Sequence, residues 1–171
     1  MPSRRQFIKL GLISGTVLGT SRVLYGPFVA SPIKNPYSYD FIFLKELDLK
    51  TLSQFAPVFL KGSLKDSSQV GAALKKVDHA ILGLSQSSQD ELCQLFDLLN
   101  LPIARRLLLG IWRDWEELSE RELDTVLHSW RESSLALKRS AYLGLTELFC
   151  GSWYADPSTW SELGYEGPPE L

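Results

Sequence analysis

The chain is poor in the residues that most often carry chemistry. Its 171 residues include two histidines, two cysteines and one methionine. Neither His79 nor His128 has a second histidine, cysteine or carboxylate placed as a metal set, so both read as surface or half-buried histidines. Asp78 sits beside His79 but projects at a different helical angle. There is no G-x-G-x-x-G after a strand, no phosphate loop, no H-E-x-x-H and no C-x-x-C, which removes the usual signatures of nucleotide, zinc-hydrolase and dithiol chemistry. Beyond residue 30 no apolar run approaches the roughly 18–20 residues of a spanning helix. No stretch alternates with period two, no Asn-Gly turn appears and no segment repeats, so hairpins, barrels and solenoids are all disfavoured.

Acid is missing from one place only. Residues 1–30 carry Arg4, Arg5, Lys9 and Arg22 and no carboxylate, leaving 14 basic against 20 acidic residues in the rest. An acidic body argues against nucleic acid as a partner, because phosphate binding needs a basic face. Its net charge also gives it no general attraction to an anionic membrane. With 44% apolar and 22% charged residues, the composition is globular and fits a single domain.

The leader has the layout of a signal peptide: a basic start, then Leu10–Leu24 softened by glycine, serine and threonine and broken by Arg22. Within it, "SRRQFIK" resembles the twin-arginine translocation motif S-R-R-x-F-L-K, with Ile8 in place of leucine. Ser3, Arg4, Arg5, Phe7 and Lys9 are the matching positions, and the twin-arginine translocon is the partner they imply. "FVAS" offers Ala30 before a cleavage point, but Phe28 is too bulky for an A-x-A site. Removal and retention of the segment both stay open.

The expected organisation is a signal segment at 1–30 forming a helix, a linker at 31–48, a helical domain at 49–150 and a tail at 151–171. The domain reads as a compact all-α bundle of five to six helices. Leu49, Leu52, Ala56 and Phe59 share one face, with Pro57 expected to kink or end that helix. Val70, Leu74, Val77, Ile81 and Leu84 form a second stripe. Ser88 with Glu91 and Ser119 with Glu122 have capping-box spacing. Pro102 suits a first helical turn, with Gly110 as a stop. The last long helix is expected from about Ser133 to Phe149, packing Leu135, Tyr142, Leu145 and Phe149, with Gly151 able to end it.

Two further features need weighing. Cys93 and Cys150 either pair, closing a loop worth about 4 kcal/mol by chain entropy, or remain two separate thiols on apolar helix faces. The carboxylates of "RDWEELSERELD" alternate with Arg113 and Arg121 around helix starts, where acids favour the dipole. A solvated, capping face is the simpler reading, and an acid–base site between Glu116 and Asp124 the alternative.

The tail, "GSWYADPSTWSELGYEGPPEL", is rich in aromatics, glycine and proline and is expected to be an irregular loop pinned by its rings onto its own domain or a partner. Trp153, Tyr154, Asp156, Pro157, Trp160, Gly164 and Tyr165 are the candidate interface residues. Together with the leader and the helical middle, the pattern G-x-W-Y-x-D-P…W…L-G-Y-x-G-P resembles the gluconate 2-dehydrogenase subunit 3 family, on Gly151, Tyr154, Asp156, Pro157, Trp160, Gly164, Tyr165 and Gly167. Members are small subunits of flavin-dependent, membrane-associated alcohol and sugar dehydrogenases. The resemblance implies a subunit with no catalytic residue and no cofactor of its own. Its partner would be an unsignalled FAD-binding large subunit of the glucose–methanol–choline type, which it helps mature and carries folded into the periplasm, to the inner membrane. A cytochrome c subunit often completes such complexes. The chain lacks the glycine- and asparagine-rich tail insertion of many members, which leaves the substrate of its partner open. A stand-alone exported ligand-binding protein, or a small enzyme using the acidic patch, is the competing reading.

Overall fold

The computed structural model describes residues 37, 39–160 and 164. The twin-arginine stretch Ser3–Lys9, the expected signal helix, and Tyr165 and Gly167 of the tail lie outside them. The described chain is all helical: α1 (Glu46–Phe59), α2 (Val70–Leu82), α3 (Gln86–Asn100), α4 (Pro102–Ala104), α5 (Glu120–Arg131) and α6 (Ala136–Tyr154). A wide π turn (Arg105–Leu109) extends α4, and short 3-10 turns precede α2, precede α5 and follow α6.

Helix α1 is the spine, packing against α2, α3, α5 and α6. Of the expected stripe Leu49, Leu52 and Ala56 are inside, joined by Phe55, while Phe59 is half-buried. From it an aromatic column runs through the bundle. Phe149 of α6 stacks on Phe59 with centroids 5.5 Å apart, and Phe59 lies 6.4 Å from Phe55. Phe55 lies 5.0 Å from Trp115, which meets Trp130 edge-on at 6.1 Å. Such pairs add about 0.5–1.5 kcal/mol each beyond area burial. The indole N–H of Trp115 donates to the Leu99 carbonyl at 2.9 Å, using an acceptor that the end of α3 leaves free.

Helix boundaries depart from expectation where a stronger local signal exists. Pro57 falls in the last turn of α1 and is accommodated there, the helix ending two residues later. The N-cap of α3 is Ser85, whose hydroxyl accepts from the Ser88 N–H at 3.3 Å. The Ser88/Glu91 pair therefore lies inside the helix. The preceding turn is tied down by Gln89, whose amide donates to the Ile81 and Leu84 carbonyls. Because α2 stops at Leu82, Leu84 is exposed rather than on the buried stripe. Leu135 is likewise exposed, standing just ahead of α6 with extended backbone.

At the other end, Gly151 does not stop α6, which continues to Tyr154. The break comes at Asp156-Pro157, since a residue before proline is pushed out of the helical region; Asp156 has φ −88° and ψ 117°. The irregular tail thus begins four residues later than expected. The Ser119/Glu122 capping box, Pro102 at the first position of α4 and Gly110 as a left-handed stop all form as read.

Candidate partner surface

Of the tail's described aromatic side chains, Trp153 turns inward, Trp160 is half-buried and Tyr154 is exposed. Trp153 is buried in the domain core. The ammonium of Lys76 from α2 lies 5.3 Å over its ring and also pairs with Asp156. Asp156 accepts from the Ser158 N–H at 2.8 Å. The Lys76 hydrogen bond, with Ser158 assisting, pulls the Asp156 carboxyl down to about 2. The buried hydroxyl of Thr159 reaches back to the carbonyls of Trp153 and Asp156 at 3.0 and 2.8 Å. Trp160 donates its indole N–H to the Tyr154 carbonyl at 2.7 Å, and the Tyr154 hydroxyl meets Ser63 Oγ at 2.7 Å. The result is a closed hook: residues 153–160 fold over the end of α6 and onto α2. Of the candidate interface residues, Tyr154 and Pro157 keep exposed surface, Trp160 is half-buried, and Gly164 occupies a left-handed turn with φ +69°.

The acidic stretch resolves into ion pairs and caps. Glu116 meets Lys50 at 2.9 Å, Asp114 pairs with Arg105, and Glu122 meets Arg113 at 2.7 Å. Glu122 also accepts from the Ser119 N–H at 2.8 Å, and that bond is the main reason its carboxyl falls to about 2. A general acid needs the opposite shift. Asp124 stands 3.9 Å from His128 on the solvent side of α5. Glu120, Arg121 and Asp124, with Val58 and Lys61 of the opposite wall, line an open pocket of about 340 Å³. His79 is exposed. Among the described residues, no three histidines, cysteines or carboxylates converge as metal ligands, and no helix is long and apolar enough to cross a membrane.

Cys93 and Cys150 are both free thiols, each half-buried and each raised by burial. The Cys150 thiol donates to the Phe59 carbonyl at 3.7 Å.

The chain matches no protein-family model, no curated protein and no solved structure.

Two polar residues that sequence patterning passed over organise the surface. Asp78 is fully buried, and its carboxylate accepts three consecutive backbone N–H groups, from Ile42, Phe43 and Leu44, at 2.9–3.0 Å. It fixes the end of the expected linker along α2. Tyr37 seats the same strap at Gly71, where a Cβ would lie 2.7 Å from the ring. Lys75 holds the strap's middle, bonding the Asp40 carbonyl and lying 5.7 Å over Phe41. The available signal was position: Asp78 is four residues past Leu74 and one past Val77, on the buried stripe. Arg105, the second, is buried in the π turn, paired with Asp114 and set 5.7 Å over Trp115. It anchors a corner whose outer residues, Leu107 and Trp112, are each 72% exposed.

Proposed function

We propose that the chain is the non-catalytic small subunit of an exported flavin-dependent dehydrogenase. In this reading it binds an FAD-containing large subunit of the glucose–methanol–choline type in the cytoplasm and helps it mature. It then takes that subunit across the inner membrane by the twin-arginine pathway. The observation that carries the reading is "SRRQFIK", an address used by proteins that cross already folded, set ahead of a helical domain whose tail pattern resembles the subunit 3 family. The folded hook at residues 153–160 supports it in part. Asp156 and the Trp160 indole are spent on building a defined end to α6, leaving the exposed faces of Tyr154 and Pro157 to meet a partner.

FAD belongs to the large subunit, and a cytochrome c subunit would receive the electrons. The acidic patch between Glu116 and Asp124 contributes solubility and helix capping in this account.

Co-purification tests the proposal. The tagged chain, isolated from its native host, is expected to bring down a flavoprotein with bound FAD and no signal peptide of its own. Isolation of the chain without any flavoprotein, at native expression levels, rules the proposal out.

A further inference from the structure

The acidic average of the body hides a corner of opposite character. Between Pro102 and Asp114 the chain carries three arginines against one aspartate, and that aspartate is held by Arg105. Ile103 and Leu107, one helical turn apart, are 47% and 72% exposed, and Trp112 beyond the Gly110 turn is 72% exposed. Arg106 is exposed between them. The Lys138 ammonium lies 3.8 Å from where a Gly110 Cβ would stand, so α6 adds a second cation to the same corner. Among the described residues neither Arg106 nor Lys138 has an ion-pair partner, whereas Asp114, Glu116, Glu117 and Glu122 nearby are all paired.

The exposed side chains are therefore a tryptophan and two aliphatics flanked by unneutralised cations. We propose that this corner is a peripheral membrane contact that seats on an anionic bilayer surface. Trp112, Leu107 and Ile103 enter the headgroup–acyl boundary, and Arg106 and Lys138 meet lipid phosphate. Charge complementarity selects the occupant, since the corner is locally basic on an acidic body and attracts an anionic surface that the remainder repels. Side-chain type agrees: tryptophan prefers the bilayer interface, and apolar residues with Arg and Lys beside them give the two terms that interfacial binding adds together. The fold presents the corner rigidly, because Gly110 turns the chain at φ +78° and the Ile111 N–H closes back on the Arg105 carbonyl at 3.1 Å. The inference does not rest on the dehydrogenase reading, and its assay contains no partner protein, so the two fail separately.

The test uses the full chain and vesicles of phosphatidylglycerol and phosphatidylcholine, with bromine atoms on the upper acyl carbons as quenchers. All five tryptophans lie between Trp112 and Trp160, so the leader can bind the vesicles but is silent in this readout. Trp115, Trp130 and Trp153 are buried. Brominated anionic vesicles are expected to quench part of the emission, and Trp112→Phe is expected to remove that quenching with the protein still folded. Arg106→Gln and Lys138→Gln should each weaken partitioning about fivefold, and brominated phosphatidylcholine alone should quench little. Protein that sediments with vesicles while its emission is unquenched overturns the proposal, as would equal quenching in Trp112→Phe. The first outcome would reserve the corner for a protein partner.

Discussion

A carboxylate without exposed surface must find its hydrogen bonds inside the protein, and Asp78 finds three in consecutive backbone N–H groups of the strap. Removing it leaves those donors unpaired, and the Leu44 N–H, which is buried, loses its acceptor where water cannot replace it. Asp78→Ala is expected to destabilise the domain by about 3 kcal/mol, seen as a lower urea midpoint with an unchanged slope. Asp78→Asn keeps one acceptor oxygen and should cost less. Sequence patterning marked Val77 and Ile81 as core but gave Asp78 no role. Period-based reading sorts residues by apolarity, and a buried acid becomes intelligible only once its distant partners are placed.

At the scale of elements, two closures depend on specific backbone and charge chemistry. The corner after α4 needs a left-handed residue, and Gly110→Ala should cost about 1–2 kcal/mol by forcing a Cβ into that conformation; thermal unfolding would register it as a lower Tm. The hook after α6 depends on ionised Asp156. Its carboxyl lies at about 2 in the folded protein against an ordinary value of 3.8, so the unfolded chain takes up the proton first. The stabilisation is therefore present above about pH 4 and lost as the pH falls toward 2. Acid titration followed by tryptophan emission should show the hook loosening in that window, and Lys76→Met should shift its midpoint upward. An unchanged midpoint in Lys76→Met would mean that Ser158 alone holds the carboxylate. Helix existence was legible from apolar spacing throughout, and the Ser119/Glu122 box and Pro102 were read correctly because their signals are local. The misplaced ends, at Ser85 and Gly151, were decided elsewhere. Ser85 won over Ser88 because Gln89 reaches back to close the preceding turn. Gly151 is passed over because α6 keeps packing through Trp153 on α2.

For the whole molecule, the sequence carried the all-α class and much of the core, but it assigned surface roles by composition and placed them less well. Composition left the tail's rings open between the domain and a partner, and among them Trp153 serves the core and Trp160 the hook. Among the described residues, two of the most exposed large apolar side chains, Leu107 and Trp112, lie in a stretch with no motif at all. Exposure of an apolar residue is set by which neighbours the fold supplies, and no local pattern encodes that. The leader is the opposite case, since "SRRQFIK" is read as a linear address and needs no fold to be legible. The central claim is that this address serves a second protein. It is tested most directly by the compartment of FAD-dependent dehydrogenase activity in the native host, with the chain intact or carrying Arg4→Lys and Arg5→Lys together. The account predicts that the activity moves from periplasm to cytoplasm in the double variant with its FAD still bound. Dehydrogenase activity that remains fully periplasmic when both arginines are replaced would contradict it.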